Sequence, residues 1–334
     1  MERSQGLFIP YKIIKRYQLK HHFSKSNKMK KIFLILLIGL TTLGYSQQDT
    51  QFSNYMYNTL SFNPAYAGSR GTKSIFLSQR SQWIGLDGAP TTNALSYHSP
   101  LGSSNLGIGL SFLNDAIGPV EENLVSLDMS YTIQTSYDYK LAFGLRASAH
   151  MLNVDFMKLN IFNPGDVLAQ NNINNRISPN IGIGMFWYSD RSYLGFSIPN
   201  LLETRHINKG LSTSVSSVSK ERLHYHFTAG YLFDITQDIL FKPAVLTKIV
   251  SGSPLQVDVS SNFQFYDKFT IGASYRLDAA VSFLAGFQLN PNWFLGYAYD
   301  FDTTNLSTFN SGSHEVFLRY EVFRNTNVKA PRFF

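Results

Sequence analysis

LAFGLRAS, residues 141–148, decides the fold class because apolar side chains alternate in it with small or polar ones. One face of the extended chain carries Leu141, Phe143, Leu145 and Ala147, and the other carries Ala142, Gly144, Arg146 and Ser148. A repeat of two residues is the period of a β-strand, whose successive side chains point to opposite faces of a sheet. The stretch is therefore predicted as a strand with one apolar face and one small or polar face.

The same alternation recurs along the chain. Residues 222–233 and 279–289 carry large apolar side chains at every second position, with mostly histidine, serine, threonine or glycine between them. A water-soluble β-sandwich would cover its outer face with charged side chains. An outer-membrane barrel instead turns its apolar face to lipid and its small, polar face to the lumen. Because charged residues are scarce on the second face, the pattern favours an all-β, transmembrane, antiparallel outer-membrane β-barrel.

About fourteen segments carry this pattern, an even number, as bacterial barrels have. They lie near residues 72–81, 91–99, 105–113, 123–133, 139–151, 178–188, 192–199, 222–233, 239–249, 255–265, 268–276, 279–289, 292–300 and 313–323. Connections after even-numbered segments are short, and long connections follow odd-numbered ones, notably residues 153–175 and 200–220. Two connections after odd-numbered segments, around Gly252 and Asp278, are short exceptions. The short connections are predicted to be periplasmic turns, and the aromatic residues beside them to form a belt at one membrane interface.

Residues 29–46 resemble a secretory signal peptide, with a Met-Lys-Lys start, an apolar stretch and small residues at the cleavage site. Cleavage is predicted between Ser46 and Gln47. The apolar stretch is shorter than the roughly 20 residues that cross a bilayer as a helix. Residues 1–28 precede this signal and are predicted to be an upstream extension outside the mature protein. The other predicted divisions are an N-terminal periplasmic or plug-like segment at 47–71, the β-barrel at 72–324 and a C-terminal tail at 325–334.

The mature chain is close to electrically neutral. Residues 1–46 hold nine Lys or Arg and one acid, so removing them from the chain's 29 basic and 22 acidic residues leaves 20 and 21. The net charge of +7 thus comes from the leader and gives no support for a nucleic-acid partner. The chain contains no Cys, so neither disulfides nor a lipid-bearing cysteine is available.

The stretch QFSNYMYNTLSFNPAYAG, residues 51–68, does not share the strand pattern. A lipid-facing strand over Tyr55 to Phe62 would leave asparagine side chains without hydrogen-bond partners in hydrocarbon. We therefore expect this segment to lie in the periplasm or to fold into the barrel mouth, as a plug or as a partner-binding element. The residues assigned to that role are Phe52, Tyr55, Tyr57, Phe62, Asn63, Pro64 and Tyr66.

Charged and imidazole side chains also fall on the polar face of the predicted strands. The residues assigned as lumen-facing are Arg146, His224, His226, Arg276 and Arg319. The arginines could pair with Asp258, Asp300 or Glu315, and so either fill the lumen with salt bridges or line an ion-selective pore. His224 and His226 share one strand face, but a metal site needs further ligands, and no nucleophile elbow accompanies them. No catalytic residue, metal site or cofactor is therefore assigned.

Five stretches carry a family likeness: residues 51–68, RSQWIGLDGAP at 80–90, NDAIGP at 114–119, PNIGIGMFWYSDRSYLGFSIPNLL at 179–202 and APRFF at 330–334. Together they resemble the PorP/SprF family, outer-membrane proteins of the type IX secretion system in the Bacteroidetes. The resemblance implies a non-enzymatic barrel that assists secretion or surface attachment of large cargo, such as gliding adhesins with type B C-terminal signals. It implies an integral outer-membrane location. The implied partners are the translocon, the periplasmic ring or peptidoglycan-linked proteins, and the C-terminal domain of the cargo.

Two other functions remain open at this point. One is a passive channel or hydrophobic-solute transporter, and the other is an outer-membrane hydrolase that uses His224 or His226. The segment at 51–68 separates the secretion role from a simple pore, because a pore does not need it. That segment and the two long loops are expected to carry the secretion role.

Overall fold

The computed structural model describes residues 51–102, 104–158, 172–202 and 222–322. The predicted leader and the APRFF motif lie outside these ranges, as do the greater parts of the two long connections. Among the described residues, no helix is both long and apolar enough to cross a membrane.

Antiparallel strands form one sheet. They are β1 Lys73–Ser81, β2 Thr91–Pro100, β3 Leu106–Ile117, β4 Val120–Gln134, β5 Lys140–Val154, β6 Ile173–Tyr188, β7 Ser192–Ile198, β8 His224–Tyr231 with a short continuation at Phe233–Asp234, β9 Ile239–Val250, β10 Gln256–Phe265, β11 Phe269–Arg276, β12 Ala280–Asn290, β13 Trp293–Asp302 and β14 Ser313–Val322. Each strand pairs with its neighbours in sequence. The predicted all-β architecture of fourteen antiparallel strands is confirmed.

The first and last strands close the sheet into a barrel. Lys73 of β1 lies opposite Val322 of β14, and Ser81 lies opposite His314. Closure pairs the edges that β1 and β14 would otherwise expose, as a structure surrounded by hydrocarbon requires, because lipid offers no hydrogen bonds to a free edge.

The wall has an apolar outer face and a polar inner face. On β5, Phe143 and Leu145 are 48% and 60% exposed, whereas Ala142 and Arg146 are 0% and 4% exposed. Apolar side chains are exposed on the outer face of most other strands as well. An exposed apolar band of this extent is typical of a surface that faces lipid.

Aromatic rings contact one another in pairs on the outer face near the short turns. The ring centroids of Tyr139 and Trp187 are 4.4 Å apart, and those of Trp293 and Tyr320 are 4.5 Å apart. Tyr231 and Phe233 form a similar pair at 4.5 Å. Rings at this level form the kind of girdle that outer-membrane barrels place at a membrane interface.

The two ends of the barrel differ in their connections. The turn end is where β1 begins, β14 ends and the short connections after even-numbered strands lie; the loop end is the opposite one. Gly118 and Pro119 join β3 to β4 at the loop end, a third short connection there that the sequence pattern did not indicate.

At the loop end, some strands continue beyond their predicted bounds. β3 extends to Ile117 instead of 113, and β4 starts at Val120 instead of 123. Asn114 and Asn123 lie opposite each other in this extension, and their side chains are joined by a hydrogen bond of 2.9 Å. The alternation of apolar and polar side chains stops at these asparagines, but the backbone pairing of β3 with β4 continues beyond them.

Candidate functional site

Residues 51–70, here called the lumen segment, occupy the interior of the barrel. Asn54 and Ala65 are 0% exposed and Leu60 is 1% exposed, because the inner face of the wall covers them. Short 3-10 turns form at Thr59–Ser61 and Pro64–Tyr66. Asn63 caps the second turn, since its side-chain oxygen accepts a hydrogen bond from the Ala65 N–H at 3.0 Å.

One polar cluster holds the lumen segment at the seam between the first and last strands. The guanidinium of Arg80, on β1, contacts Asp300 of β13 at 2.6 Å and Glu315 of β14 at 3.3 Å. Ser53 joins this cluster, since its backbone N–H donates to Glu315 at 2.9 Å and its hydroxyl donates to Asp300. Arg80 also donates to the Ser53 hydroxyl oxygen at 2.8 Å. Buried carboxylates need such partners, because desolvation of an unpaired charge is costly.

A second cluster holds the middle of the lumen segment. Arg146 of β5 forms two hydrogen bonds with Asp128 of β4, at 2.7 and 3.0 Å. The same guanidinium donates to the carbonyl oxygens of Leu60 at 2.5 Å and Ser61 at 2.7 Å. These carbonyls end a 3-10 turn and have no partner within it, so the arginine satisfies them.

A third group of contacts lies on β10 and β11. Arg276 pairs with Asp258 at 2.6 Å. Ser260 lies on the same inner face of β10 as Asp258, and its hydroxyl is 3.2 Å from the hydroxyl of Tyr55 in the lumen segment.

Close to the turn end, Arg70 of the lumen segment contacts the wall. Arg70 forms an ion pair with Glu321 of β14 and donates to the hydroxyl of Tyr66 at 3.3 Å. The backbone N–H of Gly68 donates to Nδ1 of His98 at 3.2 Å. The lumen segment therefore joins β1 through a region that is fixed by polar contacts.

Aromatic rings pack the space between these clusters. Tyr57 lies 4.7 Å from Phe317 and 5.3 Å from Phe294, measured between ring centroids. The guanidinium of Arg319 lies 5.6 Å from the centre of the Tyr57 ring, within the range of a cation–π contact. The Phe62 ring stacks on His226 at 5.6 Å.

Glycines of the wall leave room for the lumen segment. A Cβ atom added to Gly144 would overlap backbone atoms of Pro64 and Ala65. A Cβ atom added to Gly107 would overlap the carbonyl oxygen of Ala67. The small inner face therefore allows close backbone approach at these two positions.

The residues assigned from sequence lie as follows. Tyr55, Tyr57, Phe62, Asn63 and Pro64 are buried within the barrel, and Phe52 and Tyr66 are half-buried. Arg146, His224, His226, Arg276 and Arg319 are all buried on the inner face of the wall. The structure thus brings both assigned groups together in one interior.

The expected ion pairs need correction in part. Arg276 meets Asp258 as expected, but Arg146 pairs with Asp128, its neighbour across the β4–β5 ladder. Asp300 and Glu315 pair with Arg80, a residue that the sequence analysis did not single out. Arg80 shares the inward parity of Ser74, Phe76 and Ser78 on β1, and that parity was the available signal.

The two histidines of β8 lie side by side with ring centroids 6.5 Å apart. Within the described part of the chain, no group of three or more metal-ligating side chains comes together. The His224 and His226 imidazoles belong to the packed inner wall, and His226 contacts Phe62 of the lumen segment.

The family model for the type IX secretion system membrane protein PorP/SprF matches residues 44–320, which include the lumen segment and all the strands except the last two residues of β14. The chain belongs to the PorP/SprF family. No curated protein matches the sequence.

Several solved outer-membrane proteins resemble this PorP/SprF chain in fold. Acinetobacter baumannii Omp33 is 6% identical over 75% of this chain and 98% of its own, with a TM-score of 0.46. The Pseudomonas putida toluene transporter TodX is 9% identical over 84% and 96%, with a TM-score of 0.43. A Pseudomonas aeruginosa FadL homologue is 10% identical over 77% and 93%, with a TM-score of 0.40. Similarity at this level carries no functional argument for the PorP/SprF chain.

Proposed function

We propose that this chain is a non-enzymatic outer-membrane component of type IX secretion that assists the secretion or surface attachment of a large cargo protein. The observation that carries the proposal is the filled lumen. Three polar clusters and a set of packed rings hold the chain's own segment along the inside of the barrel. A fixed segment in the lumen obstructs passive passage of solutes, and the two ends of the barrel can dock other proteins.

In this proposal the turn end faces the periplasm and the loop end faces the outside. Short periplasmic turns and longer external loops are the usual arrangement of bacterial outer-membrane barrels. Periplasmic components of the secretion system would meet the turn end, and the C-terminal domain of the cargo would meet the loop end. Cargo of the gliding-adhesin kind, with type B signals, fits the resemblance described above.

The absence of an enzymatic role is part of the proposal. Arg80 and Arg146 are engaged both with carboxylates of the wall and with the lumen segment. Their geometry supports burial and fixation of the segment. A general base or nucleophile would need a reachable substrate position beside it.

Gene deletion followed by comparison of secreted and cell-surface proteins tests this function. We expect one or a few large surface proteins to disappear and to return when the wild-type gene is restored. A matched control is restoration with Arg191→Ala, which alters only an exposed ion pair with Asp234. An unchanged surface proteome together with altered solute uptake would overturn the proposal.

The alternative function, a passive channel or hydrophobic-solute transporter, makes the opposite prediction. It requires a continuous path through the barrel and leaves secreted proteins unaffected by deletion of the gene. The same deletion strain therefore separates the two functions through its solute uptake and its secreted proteins.

A further inference from the structure

The lumen segment has a direction along the barrel axis. At its start, Gln51 donates from Nε2 to the side-chain oxygen of Gln256 at 3.3 Å. Gln256 is the first residue of β10, and β10 begins at the loop end. Residue 51 therefore lies at the loop end of the lumen.

The next contact lies close to that level. Ser53 bonds to Arg80, Asp300 and Glu315. Arg80 is next to the last residue of β1, and Glu315 follows shortly after the first residue of β14. Both positions belong to the loop end of their strands.

The middle and the end of the segment follow in order. Leu60 meets Arg146 about halfway along β5. The carbonyl oxygen of Ala67 then accepts a hydrogen bond from Ser130 at 2.6 Å, in the half of β4 that approaches the turn end. Arg70 pairs with Glu321, next to the last residue of β14 at the turn end. The polar contacts of Gln51, Ser53, Leu60, Ala67 and Arg70 thus run in order from the loop end of the barrel to the turn end.

We infer that the lumen segment threads the barrel lengthwise and presents its N-terminal end, at Gln51 and Phe52, to the outer side of the membrane. The assignment of the loop end to the outer side rests on the proposed function. A segment confined to the periplasmic mouth would meet only the turn end of the wall, whereas Gln51 and Ser53 meet the loop end.

Threading makes the N-terminal end of the segment an element of the cell surface. Phe52 and Gln51 are half-buried, so part of each side chain is open at the mouth. A protein that binds the barrel from outside can therefore contact the segment directly, without entering the lumen. This accessible end deepens the proposed docking role, since the same chain contacts the outer mouth and runs through the interior.

Thiol labelling tests the inference directly, because the natural chain contains no Cys. The variant Gln51→Cys is treated on intact cells with a small, charged maleimide that does not cross the outer membrane. Phe309→Cys serves as the loop-end control, since Phe309 is 69% exposed between β13 and β14. Tyr137→Cys serves as the turn-end control, since Tyr137 is 92% exposed between β4 and β5.

We expect Gln51→Cys and Phe309→Cys to be labelled on intact cells, and Tyr137→Cys to be labelled only after the outer membrane is permeabilised. Surface labelling of Phe309→Cys without labelling of Gln51→Cys would overturn the threading. Labelling of Tyr137→Cys but not of Phe309→Cys on intact cells would instead overturn the orientation that the proposed function assumes. The two failures are therefore distinguishable.

A cross-link in purified protein tests threading without reference to the membrane. Gln51→Cys combined with Gln256→Cys is treated with a short bifunctional maleimide, and Gln51→Cys with Tyr137→Cys is the matched control pair. Threading predicts that the first pair joins within one chain and that the second does not. The reverse pattern, or equal cross-linking of both pairs, would contradict it.

Discussion

Arg146 on the barrel wall donates a hydrogen bond of 2.5 Å to the backbone carbonyl oxygen of Leu60 in the lumen segment. The same guanidinium holds the carboxylate of Asp128, which is 0% exposed. One side chain therefore neutralises a buried charge of the wall and fixes the segment at its middle. Loss of the Arg146 side chain therefore removes the counter-charge of Asp128 and the hydrogen bond to the lumen segment together.

Replacing Arg146 by Ala is expected to destabilise the barrel strongly. The change leaves Asp128 buried without its cation, which typically costs about 3–5 kcal/mol of unfolding free energy. Urea unfolding in detergent micelles, followed by tryptophan fluorescence, measures the effect. The matched control is Arg191→Ala, whose ion pair with Asp234 is roughly half exposed and is expected to contribute less than about 1 kcal/mol. Equal effects of the two changes would contradict a fixed interior.

The seam cluster offers a second test based on charge balance. Arg80→Met leaves the carboxylates of Asp300 and Glu315 close together with no cation between them. We expect a loss of about 3–5 kcal/mol of unfolding free energy. The triple change Arg80→Met, Asp300→Asn and Glu315→Gln removes all three charges and is expected to recover much of that loss. A triple variant as unstable as Arg80→Met would show that the charges themselves are not the cause.

Gly144→Ala tests the close backbone approach. The added methyl group overlaps Pro64 and Ala65, so the lumen segment must shift or the wall must deform. We expect a loss of about 1–3 kcal/mol, as for overpacked sites. Ala147→Val is the control, because it adds volume on the exposed outer face of the same strand. Limited proteolysis of the lumen segment provides a second readout, and faster cleavage is expected in Gly144→Ala alone.

His226→Ala tests the ring contact with Phe62, whose centroid lies 5.6 Å away. Removing the imidazole is expected to cost about 1 kcal/mol, since buried ring pairs contribute about 0.5–1.5 kcal/mol. His226→Phe keeps a ring at the same position and is expected to retain most of that contribution in the unfolding assay. Detection of a hydrolase activity that His224→Ala or His226→Ala abolishes would contradict the structural role of both residues.

The fourteen strands could be predicted from sequence because the lipid on one side and the narrow lumen on the other impose a strict alternation. The bounds of β3 and β4 could not be predicted to the same extent. Their loop-end extensions carry Asn114, Asn123 and neighbouring polar residues, while backbone pairing continues without the alternating pattern.

The interior was less accessible to sequence reasoning. The unusual composition of residues 51–68 indicated a non-spanning segment, and parity along the strands indicated which arginines face inward. Partner choice depends on register and on the course of the segment, neither of which follows from composition. The pairing of Arg146 with Asp128 follows from their position opposite each other in the β4–β5 ladder, and Arg80 finds its partners only when β1 meets β14.

Conductance of the purified protein in a planar lipid bilayer tests the filled lumen most directly. The wild-type chain is compared with a variant that lacks residues 51–70 and is checked for a folded barrel by its heat-modifiable mobility on a gel. We predict no stable conductance steps for the wild type and clear steps for the variant, because removal of the lumen segment opens the interior. Stable porin-like steps of equal size from both proteins would contradict a barrel closed by its own N-terminal segment.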